Sequence, residues 1–299
     1  MGMEIEMTDK LELYEDQLNT LIDTAIDEDI GGGDITSESL IPANLQAKTT
    51  ILAKADGVLA GIDLAKLVFI KMDPDLKFKT LLKDGVKLKP GDIIATVTGN
   101  ARSILKSERL ALNFLQKLSG IATQTKQYVD VIRDLPVDIL DTRKTTPGLR
   151  LLEKYAVSMG GGRNHRFNLS DGILIKDNHL ATLRGHGMTL KEIVIKAKSN
   201  APNGIKVEVE VTNLKEVKEA VAAGADIIMF DNMSPAQMRR AVKIVPASIY
   251  TEASGGITLK NVRAVAETGV NFISIGALTH SSKALDISLE FEPIKSKRK

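Results

Sequence analysis

Between Arg143 and Arg166 the chain carries six basic residues, Arg143, Lys144, Arg150, Lys154, Arg163 and Arg166, against one acid, Glu153. His165 stands inside this stretch, and Lys176 follows ten residues after Arg166. The whole chain of 299 residues is nearly balanced, with 40 Lys and Arg against 38 Asp and Glu. A local excess of cations in a balanced protein points to a pocket for a small, highly charged anion rather than to a polyanion-binding surface. Charge-assisted bonds to carboxylate or phosphate contribute about 1.5–3 kcal/mol each. Arginine offers a planar fork and lysine a point charge, so a mixed set suits a planar dicarboxylate beside phosphates. Arg143, Lys144, His165, Arg166 and Lys176 are the candidates. Arg150 and Lys154, four apart on a predicted helix, read instead as a solvated helix face.

A second series lies downstream. Glu210, Asp231, Glu252 and Ser274 end predicted strands and are spaced 21, 21 and 22 residues apart. One βα unit occupies about that length, so the spacing predicts that all four sit on one rim of a parallel barrel, where such folds carry their chemistry. Glu210 and Asp231 suit Mg²⁺ as hard oxygen ligands, or serve as acceptors from sugar hydroxyls. Ser254-Gly255-Gly256 and Gly276-Ala277 end the last two barrel strands, where backbone N–H groups commonly hold a phosphate. Gly160-Gly161-Gly162 follows a helix rather than a strand, so it reads as a helix C-cap and not as a P-loop. His179, His186 and His280 show no His-x-x-x-His spacing, which argues against a zinc site.

Two kinds of organisation must position these residues. Apolar positions at Leu13, Leu18, Leu21, Ile22, Ala25 and Ile26 predict a helix over 11–30, broken by Gly31-Gly32-Gly33. Residues 47–100 alternate short β-rich runs (49–53, 78–82, 93–97) with turns at Asp84-Gly85 and Pro90-Gly91. A helix over 103–118 follows, and Ser119-Gly120 marks a domain boundary. Beyond it the pattern becomes strand–helix alternation. Strands are predicted at 137–141, 173–175, 207–211, 227–230, 249–253 and 272–275. Thr146-Pro147 is expected to open a helix as N-cap and N1, Thr189 and Ser234-Pro235 to open two more, and helices are expected over 213–223 and 258–268. Six strands fall short of the eight of a regular barrel. An incomplete α/β barrel over 120–282 is therefore expected, with the segment from 283 to 299 returning to the N-terminal domain of residues 1–119.

Composition removes several classes. Apolar content of 43% and charged content of 26% are those of a globular protein. Cysteine is absent, which excludes disulfides, thiolate nucleophiles and Cys-ligated zinc. Tryptophan is also absent and aromatics are few, so stacking platforms for single-stranded nucleic acid are not expected. No apolar run approaches the roughly 18 residues of a membrane span, and the acidic N-terminus lacks the order of a signal peptide. Glu6 stands where a myristoylation signal needs Ser or Thr. The basic tail, Lys295 to Lys299, reads as a solvated end. The expectation is a cytoplasmic protein that binds neither nucleic acid nor membrane.

Taken together, the motifs resemble the quinolinate phosphoribosyltransferases, or carboxylating nicotinate-nucleotide pyrophosphorylases, over nearly the whole chain. The resemblance rests on Glu28-Asp-Ile-Gly-Gly-Gly-Asp-Ile-Thr36, Ser107-Glu-Arg-Leu-Ala-Leu-Asn113, Asp141-Thr-Arg-Lys-Thr-Thr-Pro-Gly148, Asn164-His-Arg166 and Ile175-Lys-Asp-Asn-His179. It continues through Val207-Glu-Val-Glu210, Phe230-Asp-Asn232, Glu252-Ala-Ser-Gly-Gly256 and Ser274-Ile-Gly-Ala-Leu-Thr-His280. It implies an N-terminal α/β sandwich beside the incomplete barrel. It also implies conversion of quinolinate and phosphoribosyl pyrophosphate (PRPP), with Mg²⁺, to nicotinate mononucleotide, pyrophosphate and CO₂. By family position Arg143, His165, Arg166 and Lys176 hold quinolinate, and Lys144 lies beside the substrates. Glu210 and Asp231 bind Mg²⁺ or ribose hydroxyls, and Ser254, Gly255, Gly276 and His280 hold the 5-phosphate. Arg109, by itself a helix-surface arginine, is sent into the partner subunit's site, which makes a homodimer the minimal active unit. A paralogue encoded with molybdate transporters shares most of these motifs, and a non-catalytic sensor of phosphorylated anions is the alternative of another class.

Overall fold

The structure, a computed structural model, describes residues 15–292. The predicted helix over 11–30 is seen from residue 15, and the basic tail lies outside the described residues. In chain order the elements begin α1 (Glu15–Ile30), α2 (Ile35–Leu40), β1 (Gln46–Ala53), β2 (Gly57–Val58), α3 (Ile62–Met72), β3 (Lys77–Thr80), β4 (Lys87–Leu88), β5 (Ile93–Asn100) and α4 (Ala101–Ile132). They continue β6 (Asp138–Leu140), α5 (Arg150–Met159), β7 (Ile173–Ile175), α6 (Asp177–Arg184), α7 (Leu190–Asn200), β8 (Val207–Val211) and α8 (Leu214–Ala223). Last come β9 (Ile227–Asp231), α9 (Pro235–Val242), β10 (Tyr250–Ser254), α10 (Val262–Ala266), β11 (Phe272–Ser274), α11 (Ala277–His280) and β12 (Ile287–Phe291). The chain divides into two compact units. Among the described residues, the barrel unit holds Thr125–Thr145 and Gly162–Ser281; the N-terminal unit holds those up to Gln124, Thr146–Gly161 and those from Ser282.

The N-terminal unit is built on an antiparallel sheet in the order β12-β1-β5-β3, with β2 and β4 forming a separate pair. Every second residue of β1, Ala47, Thr49, Ile51 and Ala53, is buried, which is the alternation of a strand with one face on a core. The chain's end reaches this sheet, because β12 pairs antiparallel with β1 from Thr49↔Phe291 to Ala53↔Ile287. Asp84 does more than mark a turn. Its carboxylate accepts the Gly61 and Ile62 N–H groups at the start of α3 (2.7 and 3.1 Å) and the Tyr155 hydroxyl of α5 (2.6 Å). An acid at a helix N-terminus satisfies donors that the helix itself leaves unpaired.

Three expectations fail here, each for a packing reason. The helix expected over 103–118 does not stop at Ser119-Gly120: α4 runs through it for 32 residues, and the compact units divide inside the helix, after Gln124. Gly120 is where the backbone of Lys283 crosses the helix, and a Cβ there would stand 2.0 Å from that carbonyl oxygen. Thr146-Pro147 does not open α5. The chain turns at Pro147-Gly148, with Gly148 at φ +81°, and the helix begins at Arg150. Thr146 instead donates its N–H and its hydroxyl to the buried Glu153 carboxylate (3.1 and 2.7 Å). Lys154 is not on a solvated face: residues 151–157 are all buried, and Lys154 is 1% exposed.

The barrel unit is a six-stranded parallel sheet in the order β6-β11-β10-β9-β8-β7. The sheet is left open between β6 and β7. Arg163 forms an isolated parallel bridge to Leu140 on the outer edge of β6, donating its N–H to Ile139. Val207, Val209 and Val211 of β8 are fully buried and alternate with Glu208 and Glu210 on the opposite face. Helix starts follow the local chemistry. Thr189 and Glu192 close a capping box on α7, as Ser234 and Gln237 do on α9, where Pro235 occupies the first turn. The helix expected over 258–268 shortens to α10, because the Asn261 side chain binds the Thr258 N–H and the Gly256 carbonyl and holds the preceding residues in a turn. Helix α6 was not legible in the sequence: it is polar, and Leu180 is its one buried residue.

A methyl group at Gly120 tests the tight crossing. An exposed helical Gly→Ala gains about 0.5–1 kcal/mol, whereas overpacking costs about 1–3 kcal/mol. Urea unfolding of Gly120→Ala is therefore expected to show a net loss of stability. A gain would mean that the 283–285 segment does not cross α4 there.

Candidate active site

All strands of the barrel run parallel, so their C-terminal ends share one rim, and the sequence candidates in this unit lie on or beside it. Arg143 and Lys144 follow β6, and Lys176 follows β7 as the N-cap of α6. Glu210 lies on β8, Asp231 and Ser254 end β9 and β10, and Gly276 with His280 belongs to the turn and short helix after β11. Arg109 lies exposed on α4, in the N-terminal unit.

Strand register corrects the even series of acids. Glu210 and Glu252 both pair with Met229, whereas Asp231 pairs with Ser254, two residues nearer the rim on the same strand. Ser274 pairs with Leu140, two residues above the Phe272 level that matches Glu252. The four residues therefore occupy two layers. Burial does not follow the layers: Glu252 and Ser274 are 1% and 3% exposed, while Glu210 and Asp231, one in each layer, are half-buried. Equal spacing along the chain missed the layers because each strand meets its neighbour with its own offset.

On one side of the mouth the cations crowd together. Arg143 is half-buried, and its Nε is buried without a hydrogen-bond partner among the described residues. Arg166 donates from Nη1 to the Gly172 carbonyl at 3.0 Å. Burial first, and then the Arg143 charge, lower the affinity of the Arg166 guanidinium for its proton, and Glu208 and Glu210 oppose this. Lys176 reaches Glu210 at 3.1 Å, and the Glu210 carboxylate also faces the Asp177 N–H at 3.4 Å.

On the other side the glycines are explained by close approach. Gly255 has φ +87°, and a Cβ there would come within 2.3 Å of the Asn232 side chain. Asn232 is the one non-glycine residue with positive φ among the described residues. It donates its N–H to Ser254 and its Nδ2 to Asp231 (2.9 and 3.1 Å). At Gly276 a Cβ would lie 2.9 Å from Lys144 Cδ and 3.3 Å from the His280 ring, so this glycine lets the lysine stem and the imidazole meet. The Thr279 hydroxyl donates to the Lys144 carbonyl at 2.8 Å and fixes the loop after β6 against α11.

Beside Glu252 of the acid series, the site also contains Glu208, which the sequence reading did not single out. Glu208 and Glu252 are 4% and 1% exposed, and their Oε2 atoms lie 3.2 and 3.5 Å from His165 Nε2. His165 Nδ1 accepts the Arg166 N–H at 2.7 Å, and the His165 N–H goes to buried Asp141 at 2.9 Å. The signal was present as Val-Glu-Val-Glu-Val, where period two puts Glu208 on the same face as Glu210. Its depth was not visible.

A parallel α/β barrel whose rim gathers arginines, lysines and carboxylates around glycine turns defines an enzyme that handles small anions. The chain belongs to the quinolinate phosphoribosyl transferase family: residues 34–119 match the family's N-terminal domain and residues 121–290 its C-terminal domain. It is 47% identical to a probable carboxylating nicotinate-nucleotide pyrophosphorylase of Bacillus subtilis over 274 residues, covering 92% of this chain and 93% of that one. A quinolinate phosphoribosyltransferase of Nicotiana glauca is 42% identical, with 92% and 82% covered. Among solved structures, NadC from Streptococcus pyogenes superposes with TM-score 0.86 at 42% identity, covering 93% of this chain and 98% of that one. The nicotinate-nucleotide pyrophosphorylase from Francisella tularensis gives 0.87 at 40%, with 93% and 96% covered.

Burial, and next the charge of Glu208, push the Glu252 carboxyl from its ordinary 4.5 up to about 8. Folded chains then hold a proton that unfolded chains release, so this group's contribution is full below about 4.5 and is lost as pH rises to about 8. Urea unfolding across that window is expected to show the wild type losing stability relative to Glu252→Gln, which cannot ionise. Parallel curves would mean that Glu252 ionises at its ordinary value.

Proposed function

We propose that this protein is a quinolinate phosphoribosyltransferase, joining quinolinate to PRPP and releasing pyrophosphate and CO₂ to leave nicotinate mononucleotide. The observation that carries the reading is the pair of half-buried guanidinium groups, Arg143 and Arg166, held together with Arg143 Nε unpartnered. Two like charges kept from water are offset by an anion with two acceptor groups, and a pyridine dicarboxylate offers them in one plane. Lys176 supplies a third positive charge. Across the mouth, Ser254, Gly255, Gly276 and His280 are suited to the 5-phosphate, with Lys144 between the two substrates. The identity to carboxylating pyrophosphorylases over most of both chains supports the same chemistry. Neither the transporter-associated paralogue nor the sensor is favoured by these relatives.

In this reading the protein mainly brings together two anions that repel each other in water. The pyridine nitrogen attacks the anomeric carbon as the bond to pyrophosphate breaks. Positive character on the ribose is favoured by Glu210 and Asp231 nearby. The ring nitrogen becomes cationic, and the adjacent carboxylate then leaves as CO₂ because that charge stabilises the electron pair left on the ring carbon, which takes up a proton. Glu210 and Asp231, hard oxygen donors on neighbouring strands, fit Mg²⁺, which takes one or two carboxylates and completes its shell with phosphate and water. When bound, the ion neutralises charge on the departing pyrophosphate. Arg109 is assigned to the site of the second subunit of a homodimer.

Purified protein given quinolinate, PRPP and Mg²⁺ is expected to release nicotinate mononucleotide and CO₂ in equal amounts. Turnover of nicotinate but not quinolinate would replace the assignment with a transferase that does not decarboxylate. Arg166→Lys keeps the charge and loses the fork, so the KM for quinolinate is expected to rise roughly tenfold or more; an unchanged KM removes Arg166 from the site. Mixing inactive Arg109→Ala with inactive Lys176→Ala protein is expected to restore part of the activity. Absence of rescue after confirmed subunit exchange rules out donation of Arg109 across a dimer.

A further inference from the structure

Asn232 combines a strained backbone with a side chain that reaches both parts of the PRPP side of the site. Strand β9 ends at Asp231, and the chain must turn at once to reach Ser234, the N-cap of α9. Asn232 makes that turn at φ +51°, a conformation that no other non-glycine residue takes among the described residues. Asparagine tolerates it better than most side chains do, but glycine meets it without steric cost. The turn by itself therefore does not call for an amide. A side chain kept at a strained position points to a task.

The amide touches two neighbours. Its Nδ2 donates to Asp231 Oδ2 at 3.1 Å, the one sense of the amide that a carboxylate can accept. Its other end lies over Gly255, where a Cβ would stand 2.3 Å from Oδ1, so the glycine is what admits the amide. The Asn232 N–H closes on the Ser254 carbonyl at 2.9 Å, beside the Ser254↔Asp231 pair of the sheet. From its other end the same loop is held by Asn261, which donates from Nδ2 to the Gly256 carbonyl at 2.9 Å. In the proposed reaction Asp231 serves Mg²⁺ or ribose hydroxyls, and Ser254 and Gly255 serve the 5-phosphate. We propose that Asn232 is the positioning residue of the PRPP half of the site. It holds one carboxylate oxygen of Asp231, leaves the other to the ligand, and sets the spacing between that acid and the phosphate loop. The proposal rests on the assignment of these residues to PRPP.

The test joins binding and kinetics to stability. Asn232 is exposed, so removing its side chain opens no cavity. Asn232→Gly suits the turn and is expected to unfold near the wild-type urea concentration. Calorimetric titration with PRPP and Mg²⁺, without quinolinate and hence without turnover, is expected to show about tenfold weaker binding, as loss of a supporting hydrogen bond commonly does. In the steady state the KM for PRPP is expected to rise about tenfold while that for quinolinate stays within about twofold. Asn232→Asp keeps the shape over Gly255 and the tolerance of positive φ, but puts a second carboxylate where the donor stood. It is expected to bind PRPP no better than Asn232→Gly does. A purely structural role would lower the urea midpoint and raise both KM values together. That outcome would overturn the proposal, as would PRPP binding at the wild-type affinity by either variant. A wild type that binds no PRPP ends this proposal and the PRPP assignment together. If the wild type binds PRPP but makes no nicotinate mononucleotide from quinolinate, the reaction assignment falls while the titration still judges Asn232.

Discussion

Holding two guanidinium groups near enough to repel each other, partly out of water, is the physical problem around which the barrel mouth is arranged. Arg143 and Arg166 repel each other, and burial raises the cost of each charge. The strands answer with acids of different burial. Glu210, half-buried and level with Glu252, meets Lys176, while Glu208 and Glu252 are buried and meet His165. This places negative charge behind and beside the cations and leaves the mouth for an incoming anion. Buried carboxylates are expensive without partners, and burial accordingly raises the hold of Glu252 on its proton.

Parallel register makes that arrangement possible. A layer of residues on one strand meets a layer on the next only through the offset between them, so Met229 and not Asp231 stands level with Glu210 and Glu252. Asp231 and Ser254 are lifted to the rim together, and Asn232 locks the two strand ends through Ser254. The glycines at 255 and 276 admit side chains from neighbouring loops, Asn232 at one and Lys144 with His280 at the other. They serve first as points of close approach between loops.

The N-terminal unit obeys the same rule of backbone approach and buried polar groups. Gly120 lets the chain leaving the barrel cross α4, and the residues that follow supply β12 to the edge of the sheet. Asp84 serves α3 and α5 at once, and Glu153 receives Thr146 and Lys117. Helix α5, which reads in the sequence as part of the barrel's alternation, is grouped with the N-terminal unit instead.

Much of this was written in local chemistry. Strand β8 falls on the predicted residues, and Thr189, Asn213 and Ser234 cap helices in the structure, because alternation and capping depend on residues close along the chain. The cations, the two acids of the rim and the glycine turns were likewise legible by type and order. What the sequence could not carry was depth. Lys154, read as surface, is buried; the helix expected to stop before Ser119-Gly120 continues through it, where the 283–285 segment crosses; Glu252, read as level with Asp231, lies a layer below it against His165. Each of these depends on a neighbour far away in the chain, or on the offset between two strands. No run of adjacent residues encodes either one, and only the folded packing decides it.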